Sequence, residues 1–173
     1  MNLLLRLIFF GFASRRRDSI EVLGSSTIRL RVYPNDLDLN FHMNNGRYLS
    51  IMDVGRTDLL GRIGLLPILL RRKWFPIVGS ATIQFLRPLN PFKKYDLTSR
   101  IVCWDEKWFY VEQLFEREGK VCAAGYIKGL LRGPSGNVTP REVAEALGSD
   151  PTSPAPPEWI VRWREWEQLK REL

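Results

Sequence analysis

The sequence predicts an α+β domain. Three observations carry this reading. A short segment of alternating polar and apolar residues comes first, a long segment of helical period follows it directly, and four long β-like runs joined by short turns come after. A lone helix cannot cover both faces of such a sheet, but it can fill the concave face of a curled antiparallel one. The outer face and the sheet edges are then expected to favour self-association.

The elements follow in chain order. Residues 3–13 are apolar apart from Arg6, and Arg15, Arg16 and Arg17 come directly after. The run is far shorter than the ~20 residues needed to cross a bilayer. Its positive charges follow the apolar stretch, the reverse of a secretory signal, so secretion is not expected. Two readings of this segment stand: an interfacial helix with its arginines on anionic headgroups, or a helix packed on the domain or on a partner subunit. Residues 27–33 alternate as a half-buried strand that Pro34 ends. From Asn44 or Asn45 to about Gly61 the period is helical, with Tyr48, Ile51, Met52, Gly55 and Leu59 on one face. Asn44 is the expected N-cap, and Gly61, Gly64 and Pro67 are the expected stop signals. A short apolar segment at 65–70 leads into Arg71, Arg72 and Lys73.

Strands are expected at 77–86, 95–104, 108–117 and 121–131, with connections short enough for an antiparallel meander. Thr139 and Pro140 open a short helix, residues 149–157 form a Pro/Ser-rich linker, and 157–173 read as a charged helix with Trp159, Trp163 and Trp166 on roughly one face. The chain thus divides into an apolar and basic N-terminal segment (1–24), a core domain (25–140) and a C-terminal extension (141–173).

At 173 residues and 45% hydrophobic, the chain has ample material for a folded core. Its formal charge of +7 points to an anionic partner: nucleic acid, an anionic membrane or a phosphate-bearing substrate. The cations are scattered among acids and no base-reading signature occurs, so nucleic acid is not expected. Cys103 and Cys122 fall on different rungs of the meander. Two unpaired thiols used as core packing suit a reducing, cytoplasmic compartment.

The chemistry concentrates at 35–49, between the first strand and the long helix. Asp38 lies seven residues before Asn45, and the intervening loop can fold its carboxylate back across the helix start. Unpaired N–H groups there can hold a carbonyl oxygen and stabilise an oxyanion, with Asp38 as nucleophile or as base for a water. The competing reading makes Asp36 and Asp38 turn formers bonded to backbone N–H groups. His42, the only histidine, has no acid or cysteine at ligand spacing, so a metal site is not expected. It can bond Asp38 or orient a carbonyl. Asp53, with Arg56 three positions on, reads either as an intrahelical ion pair or as an acid facing a pocket. No serine nucleophile elbow or phosphate loop is present in the sequence.

Three segments carry a family resemblance: residues 32–38, then His42-Met43-Asn44-Asn45-Gly46-Arg47-Tyr48-Leu49, then Asp53-Val54-Gly55-Arg56. Together with Phe85-Leu86-Arg87-Pro88 and Tyr95-Asp96-Leu97, their order resembles the hotdog-fold acyl-CoA thioesterases of the 4-hydroxybenzoyl-CoA thioesterase type. The style of the histidine segment is similar to the thioesterase superfamily member 6 subgroup. The resemblance spans about residues 27–140 and implies a curled sheet wrapped around one long helix. It also implies homodimers, or dimers of dimers, that pair their sheets edge to edge with active sites at the subunit interface.

The resemblance further implies hydrolysis of an acyl-CoA or acyl-carrier-protein thioester, with Asp38 as the catalytic carboxylate and the Asn45 N–H as oxyanion donor. His42 and Asp53 would assist, and Asn44, Tyr48, Phe41 and Arg87 would contact substrate. No cofactor is implied beyond the coenzyme A of the substrate, and Arg71, Arg72, Lys73, Arg87, Lys93 and Lys94 are candidates for its phosphates. Asn35 and Phe41 depart from the pattern, which has a small residue and a glycine there. The alternative is a non-catalytic module that binds acyl-CoA or lipid, with peripheral membrane contact through residues 1–17.

Overall fold

The computed structural model describes residues 3–171. The two ends of the expected terminal segments, residues 1–2 and 172–173, lie outside the described residues. In chain order the elements are α1 (Leu3–Ala13), β1 (Ser25–Arg31), α2 (Asn45–Arg62), α3 (Leu65–Arg72), β2 (Phe75–Phe85), β3 (Lys94–Trp104), β4 (Phe109–Arg117), β5 (Lys120–Gly133), β6 (Gly136–Val138), α4 (Pro140–Leu147) and α5 (Glu158–Arg171). The strands form one antiparallel, curled sheet in the order β1-β3-β4-β5-β2, with β6 paired to the end of β5. The sheet wraps around α2, which is the hotdog architecture.

β1 keeps its alternation, with Ser26, Ile28 and Leu30 turned inward. Regular strand ends at Arg31, two residues earlier than the alternation suggested, because Pro34–Asp36 form a 3-10 turn. α2 begins where the cap residue indicated: Asn44 accepts the Gly46 N–H at 2.9 Å through its side chain. The expected face of Tyr48, Ile51, Met52, Gly55 and Leu59 is buried, and so are Val54 and Asp58 on a second face. That second face is covered because α1 packs along α2. Each fully buried Ile or Leu of this core contributes about 1.5–3 kcal/mol of transfer free energy.

Two glycines permit close approach. A Cβ on Gly55 would lie 2.6 Å from Ser99 Oγ and 2.8 Å from Leu97, so α2 rests directly on the sheet. A Cβ on Gly61 would overlap the Ser14 side chain. Gly61 therefore sits within the helix, at a crossing with the N-terminal segment, and the break comes at Gly64, where φ is +80°.

α1 packs on the domain along one face and leaves its other face exposed. Leu3, Leu7 and Phe10 pack against the main core, whereas Leu4, Leu5, Ile8, Phe9 and Phe12 are exposed. No helix among the described residues is long and apolar enough to cross a membrane. α5 lies on the outer face of the sheet, with Trp159 against Tyr126, Trp163 edge-on to Tyr110, and Ile160 fully buried. Trp166 remains half exposed. Cys103 and Cys122 are buried and unpaired, and burial pushes both thiols up.

Candidate active site

The acid-rich loop is a small hairpin that ends on the first turn of α2. Leu37 and Met43 pair across it, the Asp38 N–H donates to His42 O at 2.9 Å, and the Asn44 N–H donates to Asp36 O at 2.8 Å. The tip is Leu39, Asn40 and Phe41, with Leu39 and Phe41 strongly exposed. Phe41 closes it with φ of +57°, a conformation that favours glycine.

Asp38 is half-buried. Its Oδ1 accepts the Asn40 N–H at 2.8 Å and the His42 N–H at 3.3 Å. This is the turn geometry expected of an aspartate, and it leaves Oδ2 without a partner among the described residues. The His42 main chain, not its ring, is what binds Asp38. Asn45 is exposed as the first residue of α2, and its N–H has no acceptor among the described residues. Tyr48 is buried, edge-on to Phe85 and Phe115 at about 5 Å. Burial pushes its hydroxyl up to about 12.

Asp53 is exposed and ion-paired to Arg56. Arg56 also donates to Gln113 Oε1 at 2.7 Å, and Gln113 in turn holds Met52 O and Ser99 Oγ. Arg87 is exposed and donates to Val121 O at 2.7 Å. Among the described residues no cluster of His, Cys, Asp or Glu is placed to hold a metal ion.

Sequence reasoning missed the residue that organises this region. Asp36 is fully buried and receives Arg6 at 2.7 Å, Arg47 at 2.9 Å and the Tyr33 N–H at 3.0 Å. Burial alone would raise its pKa, but these donors outweigh it and hold the carboxyl below its ordinary value. The signal available was Arg6 itself, a lone charge inside an apolar helix. Of the arginines that one reading places on headgroups, Arg17 binds the buried Asp58 at 2.8 Å and Thr27 O at 2.8 Å. Asp58 also accepts from Ser26. Sequence reasoning missed, in addition, an apolar cavity of about 90 Å³ along the C-terminal half of α2. Leu59, Ile63, Ile77, Val111 and Ile127 line it, with Arg56 as its polar wall.

A curled sheet around one helix, with an acidic hairpin at the helix start, defines a hotdog-fold domain. The family model of the Thioesterase-like superfamily matches residues 32–163, and the chain belongs to that family. It is 34% identical over 119 residues to the probable thioesterase YBR096W of Saccharomyces cerevisiae, covering 66% of this chain and 51% of that one. It is 32% identical over 135 residues to protein THEM6 of Xenopus laevis, covering 76% of this chain and 63% of that one. The chain thus spans about half to two thirds of the length of these relatives. Among solved structures, the YbaW probable thioesterase of Escherichia coli superposes with a TM-score of 0.64 at 23% identity, covering 70% of this chain and 95% of that one. At that identity the likeness bears on the fold alone.

Proposed function

We propose that the chain hydrolyses an acyl thioester of coenzyme A or of an acyl carrier protein to the free acid and thiol. The observation that carries this reading is the Asp38 carboxylate: one oxygen is fixed by two backbone N–H groups and the other has no partner among the described residues, on a hairpin that runs into the N-terminus of α2. Asp38 Oδ2 attacks the thioester carbonyl and expels the thiolate, and water then cleaves the acyl-enzyme anhydride to the free acid and the Asp38 carboxylate, its proton passing to the thiolate; alternatively Asp38 takes the proton of a water that attacks directly. The Asn45 N–H and the positive end of α2 stabilise the oxyanion. The half-buried His42 ring orients the carbonyl.

The end of the acyl group is assigned to the apolar cavity beside β2, whose volume of about 90 Å³ takes only a short part of a chain. Leu59 on its wall is roughly 20 Å along the α2 axis from Asn45. That separation favours a long chain, or a thioester presented by the hairpin of a second copy paired along β2. β2 supports such pairing: it is an edge strand with Phe75, Ile77, Val78 and Phe85 exposed.

Replacing Asp38→Asn is expected to leave the urea midpoint within error and to lower turnover of every acyl-CoA hydrolysed by the wild type by at least about a hundredfold. Undiminished turnover in that variant would overturn the assignment. Acyl-CoA binding by the wild type with no turnover across short, long and aromatic acyl groups would establish the non-catalytic alternative, which the exposed apolar face of α1 favours.

A further inference from the structure

We propose that the cleft between α1 and β1 is a binding site for a phosphate group. The cleft has a volume of about 260 Å³, and its walls carry four cations, Arg6, Arg29, Arg31 and Lys94, and no carboxylate. Phe9, Phe10 and Tyr33 complete it.

Three independent features mark the charge here as uncompensated. First, β1 and β3 pair Arg29 opposite Asp96, where the guanidinium makes two bonds of 2.7 and 2.8 Å. One step along the same face, Arg31 stands opposite Lys94, and neither has an acidic partner among the described residues. Like charges directly across a ladder destabilise it unless a counter-ion sits between them. Second, Arg6 lines the floor of the cleft and is buried, yet among the described residues its Nε and Nη1 have no hydrogen-bond partner; the nearby buried Tyr95 hydroxyl has none there either. Buried donors of this kind call for an anion or an ordered water. Third, the floor carries net positive charge, because the single Asp36 carboxylate receives two guanidiniums, from Arg6 and Arg47.

A tetrahedral phosphate supplies what these groups lack: several acceptor oxygens and negative charge. The aromatic rim suits what would be attached to it. In coenzyme A that is an adenine ring, which stacks on Phe9 or Phe10. In a phospholipid it is the acyl tails, which continue over the exposed α1 residues Leu5, Ile8 and Phe12. Both sources share the phosphate chemistry, and only the coenzyme A source rests on the function proposed above.

The test uses Arg31→Glu. This change places opposite charges across β1 and β3 and so preserves the ladder while removing the site's attraction for phosphate. Arg141→Glu, exposed on α4, makes the same change in net charge elsewhere. Coenzyme A binding is followed by calorimetry, and co-sedimentation by phosphatidylcholine vesicles with and without phosphatidic acid. At least one probe is expected to bind the wild type and Arg141→Glu alike and to bind Arg31→Glu at least about tenfold more weakly. The probe that responds identifies the source. The proposal is overturned if neither probe binds, if Arg31→Glu binds as the wild type does, or if Arg141→Glu loses as much. Asp38→Asn is expected to keep the binding, so loss of turnover and loss of the cleft are read separately.

Discussion

Phe41 is where a side chain and its backbone disagree most openly. It holds the left-handed conformation at the hairpin tip, with φ of +57° and its ring 73% exposed. A residue with a Cβ costs about 1–2 kcal/mol there, whereas glycine adopts the conformation freely but loses more chain entropy on folding. The balance for Phe41→Gly is a gain of about 0.5–1 kcal/mol, because little packing is lost with an exposed ring. The urea midpoint of the variant is expected to rise accordingly. A fall of similar size would show that the ring is buried against something in the assembled protein. The departure from the family's glycine was visible in the sequence as a substitution, but its meaning was not, since only backbone geometry reveals that the chain retained the glycine conformation without the glycine.

At the scale of elements, the decisive contact is between α1 and the hairpin. Arg6 reaches Asp36 across 30 positions of sequence, and Arg47 reaches it from the first turns of α2. One carboxylate thereby ties together the N-terminal helix, the 3-10 turn and the helix that begins the candidate site. Local patterns do not register such a contact, which is why the cap at Asn44, the apolar face of α2 and the turn-forming role of Asp36, which accepts the Tyr33 N–H, were legible while its two arginine partners were not. A pH prediction follows from its chemistry. Asp36 is depressed in the folded protein, against about 3.9 when unfolded. Its contribution to stability is therefore complete above about pH 4 and is lost as pH falls through the folded value. Wild type is expected to exceed Asp36→Asn by about 3–5 kcal/mol at neutral pH, since the substitution strands the buried Arg6 charge. That gap is expected to narrow steadily in acid. Urea titrations of both proteins across pH measure it, and a gap independent of pH would show that Asp36 acts by shape rather than charge.

At the scale of the whole molecule, the sheet has two ways to associate, and the C-terminal extension closes one of them. The fold class expected from the sequence left the outer face for self-association, but α5 covers part of it through Trp159, Ile160 and Trp163. Lys128 and Glu167 also pair there, as do Arg164 and Asp105. The tryptophan spacing was legible; the surface it covers was not, because it depends on Tyr110 and Tyr126 arriving from two different strands. Of the two edge strands, β1 and β2, it is β2 that carries apolar side chains along an exposed edge: every residue from Phe75 to Val78 is exposed, and the edge position also accommodates Pro76. A row of unpaired backbone groups flanked by apolar side chains is unstable against association with itself. Antiparallel pairing of two β2 strands would continue the sheet, bury Ile77 and Val78, and close the cavity they line. The protein is therefore expected to sediment as a dimer at micromolar concentration. The double replacement Ile77→Lys and Val78→Lys, which sets four like charges at the seam of a symmetric pair, is expected to shift it to monomer and to reduce acyl-CoA turnover with it. A monomeric wild type, or a double variant that remains dimeric, would move the interface elsewhere and leave the cavity to be completed by one chain alone.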